Sequence, residues 1–436
     1  MGYRLPQIAL FAGFELTCIP VFIIATIQIT IKMYSGVIQF NSKMYIDTIQ
    51  ITCIMNIMIH RLVQKSLEEY VNNNDKKIYF LWGPRRSGKT TLLKTIAKEL
   101  NVPIFNFDLI SDRELFVPMQ ESLIKIASSH KIILIDEVQT HDDSTIALKL
   151  LHDLFGVKII ATGSSELRQK SINFDSLAGR YSEHYCLPLS AEEIYSSKKL
   201  KDYEKDLALK SMLNNLQVYG AYPEIYTTNN DKDKVLHLQN ILDTYVLKDV
   251  ISIYDLKNVK LAKDILTKLA LQIGQEVSLR EIANSLQANV TTVSNYVEIF
   301  IKNYILVSLP SFKINTRRAV GSNRKIYFMD LGIRNILVRD FRDTHLRPDA
   351  GGLFENFIIS EIHKKRLNEQ AMVSAYFYRE YSGVEVDLVL EDYKKNYTAV
   401  EIKISENKKP KDVFVLPHKF VVINSNNYYK NINNLF

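Results

Sequence analysis

From about residue 60 onward the chain alternates two rhythms. Short runs that are almost wholly apolar stand at 78–82 (IYFLW), 102–107 (VPIFNF), 132–135 (IILI) and 157–162 (VKIIAT). Runs this short and this uniformly apolar read as strands buried on both faces. Between them, 61–70 and 114–128 place apolar residues at helical spacing, and 183–187 reads as a last strand. Strand alternating with helix predicts an α/β domain with a parallel sheet. The rhythm changes at 213–300, which reads as mostly helical. It changes again after Gly351, where a helix carrying Phe357, Ile358 and Ile362 precedes strands at 375–379, 384–390 and 399–403. The 384–390 run alternates at period two and then turns apolar, as a strand does when it enters a core.

These changes divide the chain into an N-terminal extension (1–58), a parallel α/β domain (59–200), a helical domain (201–345) and a second α/β domain (346–436). The extension is of another kind. Residues 5–31 carry one charge, Glu15, and are long enough to cross a bilayer as a helix. The stretch reads as a membrane anchor, as a signal peptide without a clear cleavage site, or as translation from upstream of the true start, with Met55 and Met58 standing just before the first globular segment. The expected location is therefore cytoplasmic, with tethering through 5–31 as the alternative.

Composition narrows the field only a little. The 436 residues are 47% hydrophobic and 24% charged, enough to bury real cores, and the net charge of +7 permits a nucleic-acid partner without arguing for one. The three cysteines, Cys18, Cys53 and Cys186, have no metal-ligand spacing, which argues against a disulfide scaffold or a zinc site.

The candidate chemistry begins where the first strand ends. Gly83-Pro84-Arg85-Arg86-Ser87-Gly88-Lys89-Thr90, followed by Thr91, fits the phosphate-binding loop without mismatch. Glycines leave room for backbone N–H groups to ring a polyphosphate. Lys89 supplies a mobile charge for the β/γ-phosphates, the Thr90 hydroxyl a ligand for Mg²⁺, and the following helix its positive dipole end. The 132–135 strand ends in Asp136 and Glu137, the Walker B pattern: Asp136 is placed to hold Mg²⁺ and Glu137 to polarise the attacking water. At the tip of the next strand Ser164 either senses the γ-phosphate or caps a helix. Arg180 either neutralises transition-state charge, in cis or in trans, or forms a structural ion pair. ATP and Mg²⁺ are the expected cofactors.

The runs GPRRSGKTTLL, LIDEVQ, ATGSSELRQ, LAGRYSEHYCLPLSAEEI and YGAYPEIY resemble a large prokaryotic AAA+ ATPase family common in archaea, in which the ATPase is fused to a C-terminal domain of poorly defined role. The resemblance implies a five-stranded parallel sheet with the Walker B strand between the P-loop strand and its outer neighbours. Such sites often borrow an arginine from a neighbouring copy, which makes a homo-oligomer a candidate partner without fixing the oligomeric state.

Two further patterns lie beyond this domain. Residues 278–286 and 290–301 form a helix-turn-helix with Ile282, Ala283, Leu286, Val293, Tyr296 and Val297 inward; Thr292 and Asn295 are among the polar residues left facing out. Strands at 305–307 and 325–328 would pair as a wing, and Lys313, Arg317, Arg318, Arg324 and Lys325 make the intervening stretch basic. This is either a winged helix that contacts DNA or the same fold used for packing. In the last domain Glu401 and Lys403 share a strand face. If the Asp387 strand pairs with theirs, carboxylates and a lysine converge as a divalent-metal site. The pattern resembles the PD-(D/E)xK nuclease superfamily, which the C-terminal domain of the same ATPase family carries. That resemblance implies Asp387 and Glu401 as metal ligands, Lys403 as the catalytic lysine, Glu355 as the auxiliary helix carboxylate and Arg379 as a supporting cation. Val386 stands where the superfamily usually has proline.

The expectation is thus a P-loop AAA+ parallel sheet, then a helical and winged-helix region, then a restriction-endonuclease-like α/β domain. Its function would be Mg-ATP hydrolysis coupled to DNA, or a nucleotide-dependent switch without nuclease activity.

Overall fold

The computed structural model describes residues 59–164, 174–198, 200–249, 258–313, 324–380, 383–405 and 411–436. The apolar stretch 5–31 and Arg317 and Arg318 lie outside these residues. The chain divides into two units, 1–55 and 56–436, and the second contains every described element.

The first sheet has five parallel strands, β1 (Ile78–Trp82), β2 (Ile104–Asn106), β3 (Ile132–Asp136), β4 (Lys158–Gly163) and β5 (Tyr181–Tyr185), in the order β2-β3-β4-β1-β5. Strand β4, not the Walker B strand β3, is the neighbour of the P-loop strand β1. Helices α1 (Leu62–Asn72) and α2 (Lys89–Leu100) bury Val63, Leu67, Leu93 and Ile96 against one face, on Tyr79, Leu81 and Ile160. Phe80, Trp82, Ile133 and Ile135 pack on the other face. Two local expectations shift. The helix expected over 114–128 is two helices, Ile110–Leu115 and Gln120–Ser129, parted at Pro118, which has no N–H to continue the ladder. Strand β2 starts at Ile104 rather than at 102, because Pro103 has no donor for the sheet.

Helices α3 (Ala191–Ser196), α4 (Lys205–Tyr219) and α5 (Pro223–Thr227) lead out of the sheet. Ser190 caps α3 in a capping box with Glu193. Helix α6 (Val259–Leu271) then packs beside α7 (Leu279–Ser285) and α8 (Val290–Lys302). Ile282, Ala283, Val293, Tyr296 and Val297 are all buried in one cluster, as the helix-turn-helix periodicity requires. Strands β7 (Leu306–Pro310) and β8 (Arg324–Phe328) pair antiparallel, and the two-residue β6 (Glu276–Val277) adds to β8. Helix α9 (Leu331–Val338) comes next, capped by Asp330.

Helix α10 (Ala350–Asn368) and strands β9 (Val373–Arg379), β10 (Glu385–Asp392), β11 (Tyr397–Ile402) and β12 (His418–Ile423) build the last part. The sheet order is β12-β11-β10-β9, antiparallel except for the β11–β12 pair. One core joins all three parts: Leu189 and Ile194 near the first sheet, Met212, Leu216 and Tyr327 in the middle, and Phe354, Phe357, Leu388 and Val400 at the end. Fully buried Asn356 clips α10 onto β8, accepting from the Phe328 N–H at 2.8 Å and donating to the Phe328 carbonyl at 2.7 Å.

Candidate functional site

The first site grows from the turn between β1 and α2. Gly83 allows the closest approach: a Cβ there would sit 2.0 Å from the Cys186 carbonyl oxygen. Gly88, at φ +102°, starts α2 in a backbone conformation that glycine adopts without strain. Lys89 is buried and folds back over the loop, donating to the Gly83 and Pro84 carbonyls at 2.9 Å each. Burial pulls its ammonium below the usual lysine range, while Glu137 and Asp136 pull the other way. A cavity of about 460 Å³ opens beside it, lined among others by Arg85, Arg86, Thr90, Thr91, Asp108 and Glu137. Thr90 and Asp136 supply the hard oxygen donors that Mg²⁺ takes.

Asp136 ends its strand and accepts a hydrogen bond from the Thr162 hydroxyl. Glu137 adopts a left-handed φ of +54°. Gln139, which the sequence reading did not single out, donates to the Glu137 carboxylate and accepts from the Ser164 N–H at 3.1 Å. Ser164 therefore meets Glu137 through Gln139, and its own hydroxyl is buried without a partner among the described residues. Arg86 pairs at 3.2 Å with Glu224 of α5, a carboxylate on the cavity wall.

Arg180 stands elsewhere. Its carbonyl accepts from Ile78 N–H at the start of β1, so it marks the sheet edge opposite the P-loop, and its side chain pairs with Asp153 at 2.8 Å. It does not reach the cavity of its own chain, which removes the in-cis role.

The loop also has a buried support that no motif signalled. Arg61, just before α1, donates to the Ser87 carbonyl, to the Leu187 carbonyl at 2.6 Å and to Glu193 at 2.9 Å. An arginine outside any motif can be found this way only through its contacts.

The second site is assembled rather than contiguous. The β10–β11 register pairs Leu388 with Val400, which sets Asp387 opposite Glu401. Asp387 accepts from the Ile402 N–H at 2.7 Å. Lys403 lies 2.6 Å from Glu401 and 3.6 Å from Asp387. Those two carboxylates hold Lys403 above its usual range although burial lowers it. Glu355 from α10 and Glu385 from β10 join Asp387, with one carboxylate oxygen of each within 4.8 Å of the others. Burial raises both Glu355 and Glu401 above the usual carboxylate range. One Glu401 oxygen, Oε2, is buried with no partner among the described residues. The expected set of Asp387, Glu401, Lys403 and Glu355 is therefore brought together. Glu385 is an addition, signalled only by its position two residues before Asp387.

Lys325 corrects an expectation. Instead of making the wing basic, it turns inward, 2% exposed, and pairs with Glu355 at 2.9 Å and with Glu385. Tyr327 on the same strand face donates to Glu355 at 2.6 Å. Arg324 pairs with Glu298 of α8, and Arg379 with Glu276 at 2.7 Å. The carboxylates of neighbouring elements thus claim cations that the bare sequence leaves open to solvent. Thr292 is half-buried and Asn295 exposed on the outer face of α8.

Residues 75–195 match the AAA domain family. Residues 210–344 and 350–428 match two domains of unknown function, DUF8612 and DUF4143. An uncharacterized protein of Methanocaldococcus jannaschii, MJ1544, is 28% identical over 355 residues, covering 77% of this chain and 77% of the relative. An uncharacterized protein of Haemophilus influenzae is 24% identical over 270 residues, covering 58% and 67%. Among solved structures, the Thermotoga maritima RuvB Holliday junction branch migration motor is 18% identical and covers 56% of this chain and 88% of its own, with a TM-score of 0.27. The Aeropyrum pernix Orc1 protein in complex with DNA gives 15%, 67%, 95% and 0.30. Such TM-scores are too low to establish a shared arrangement. The family match and the parallel sheet together give the first part a P-loop AAA+ fold. Among the described residues, no helix is long and apolar enough to cross a membrane.

Proposed function

We propose that the chain hydrolyses Mg-ATP and couples that hydrolysis to work on DNA inside the cell. The observation that carries the reading is the P-loop lysine and a Walker B glutamate around one open cavity, with the Walker B aspartate beside it. Lys89 rests on two neutral carbonyls, so a β/γ-phosphate outcompetes them for its charge. Glu137, once released by Gln139, is the base for the attacking water. Mg²⁺ held through Thr90 and Asp136 would neutralise charge building on the phosphate oxygens. Arg180, facing away from its own cavity, serves a neighbouring copy in a homo-oligomer.

The DNA half of the proposal rests on two features. Helix α8 offers Thr292 and Asn295 to a groove in the manner of a winged helix. Asp387, Glu401 and Lys403 converge as a nuclease-like set whose oxygens suit a second divalent metal. A rival reading, a nucleotide-dependent switch without cleavage, has one observation in its favour. The P-loop is tied through Arg61 and Glu193 to the Ser190–α3 turn, and Glu361 of α10 accepts from the Ala191 N–H at 2.7 Å. That makes a short buried route from nucleotide to C-terminal sheet.

The deciding experiment measures ATP turnover with and without DNA at several salt concentrations, and scores cleavage in the same tubes with Mg²⁺ or Mn²⁺. DNA-stimulated turnover that falls with salt, with cleavage lost in Asp387→Ala, is the expected result. Turnover indifferent to DNA, with no cleavage, would leave the switch.

A further inference from the structure

The carboxylate cluster contains more negative charge than the nuclease-like set alone. Glu355 of α10 and Glu385 and Asp387 of β10 form one cluster, and Glu401 of β11 faces Asp387 as a fourth carboxylate. Two ammonium groups answer them, Lys403 beside Glu401 and Lys325 between Glu355 and Glu385. Two formal charges remain, which is the charge of one divalent cation. An open donor atom has a location: among the described residues Oε2 of Glu401 has no hydrogen-bond partner, on a residue 7% exposed that faces Asp387 across the strand pair.

We infer that Lys325 is a built-in cation that takes the place of a second metal ion, so that the cluster binds one divalent cation on the Asp387–Glu401 side and excludes another on the Glu355–Glu385 side. The inference rests on reading the cluster as a metal site, and it concerns a residue from outside that domain. Lys325 arrives on β8, from the middle of the chain, and reaches the carboxylates because β8 is clipped to α10 through Asn356. Its position is not adaptable. The side chain is enclosed, with the Phe377 ring 5.8 Å away, and Tyr327 holds the Glu355 oxygen that Lys325 also uses. Magnesium and manganese seek oxygen donors; Lys403, its side chain 43% exposed, can swing out and leave Glu401 and Asp387 to a metal, whereas Lys325, its side chain 3% exposed between two carboxylates, occupies its donors and repels a second ion.

The test counts Mn²⁺ bound to the full chain, freed of metal and nucleotide, by equilibrium dialysis. Ions at the cluster are those lost in Asp387→Asn. Wild type is expected to bind one, Lys325→Arg one, and Lys325→Met two. Mn²⁺ is also expected to raise the melting temperature of Lys325→Met more than that of wild type, which reads the same point if the variant is unstable without metal. Two ions in wild type, or one in Lys325→Met with no extra thermal gain, would overturn the role given to Lys325 while leaving the metal site standing. No ions in wild type would overturn both.

Discussion

Two lysines lie buried at the two candidate sites, and their partners differ in kind. Lys89 rests on backbone carbonyls. Lys325 rests on carboxylates. A carbonyl contact is weak enough for a phosphate to displace, whereas a doubly paired ammonium in a low-dielectric setting stays put. One cation is held in readiness and the other is part of the wall. Burial alone does not tell whether a charge is a tool or a brace; the charge state of its partners does.

The sharpest way to break this comparison is to remove each lysine and ask what fails. Lys89→Ala is expected to lower ATP turnover by roughly 10²–10³-fold with little change in melting temperature, because its partners are neutral and can relax. Lys325→Ala is expected to destabilise the metal-free fold by about 3–5 kcal/mol, the cost of stranding buried carboxylates, read by denaturant unfolding. Equal destabilisation by both would erase the distinction. Glu137→Gln sharpens the first half. It is expected to retain nucleotide binding, measured by fluorescence titration, and to lose turnover by about 10²-fold, since it removes a base and not a phosphate contact.

The smallest effect expected is a dependence on pH. His184 in β5 stacks on Tyr79 of β1 with ring centroids 3.9 Å apart, and burial lowers its pKa to about 4. Because the folded value is depressed, the fold prefers the neutral ring. Its contribution is complete above the unfolded value near 6.5 and is lost as pH falls from there toward 4. The loss is on the order of 2–3 kcal/mol. His184→Gln should flatten that part of the stability profile; a profile unchanged by the substitution would show that the ring ionises freely.

The same contrast explains what the sequence could disclose. The P-loop site comes from residues 83–91 and the end of one apolar strand, so spacing alone locates it, and the buried strands around it imply the parallel sheet. The helix-turn-helix residues were legible for the same reason, since helical periodicity is local. At the C-terminal site, Asp387, Glu401 and Lys403 were legible because two strand-face arguments and one pairing sufficed. Lys325 and Tyr327 were not. They come from some 60 residues upstream, and only the packing of β8 on α10 shows that a basic strand has been recruited as a counterion. Arg61 and Gln139 escaped in the same way, because each acts through partners far along the chain or around a turn that no periodicity describes. Arg180 was legible as a charge but not as a place, since its distance from the P-loop depends on which end of β5 it occupies.

Helix α10 carries a consequence for how this protein can be taken apart. Near its start Glu355 faces the carboxylate cluster, and nearer its end Glu361 and Lys364 bind the Ala191 N–H and the Leu189 carbonyl next to the first sheet. A gene fragment beginning near codon 346 would therefore encode a sheet missing both its internal counterion and the surface that covers Phe354 and Phe357. A piece cut at the seam that composition draws there is expected to be less stable than the same residues within the full chain. A fragment that keeps Lys325 with its carboxylates has to include β8 as well as the C-terminal sheet.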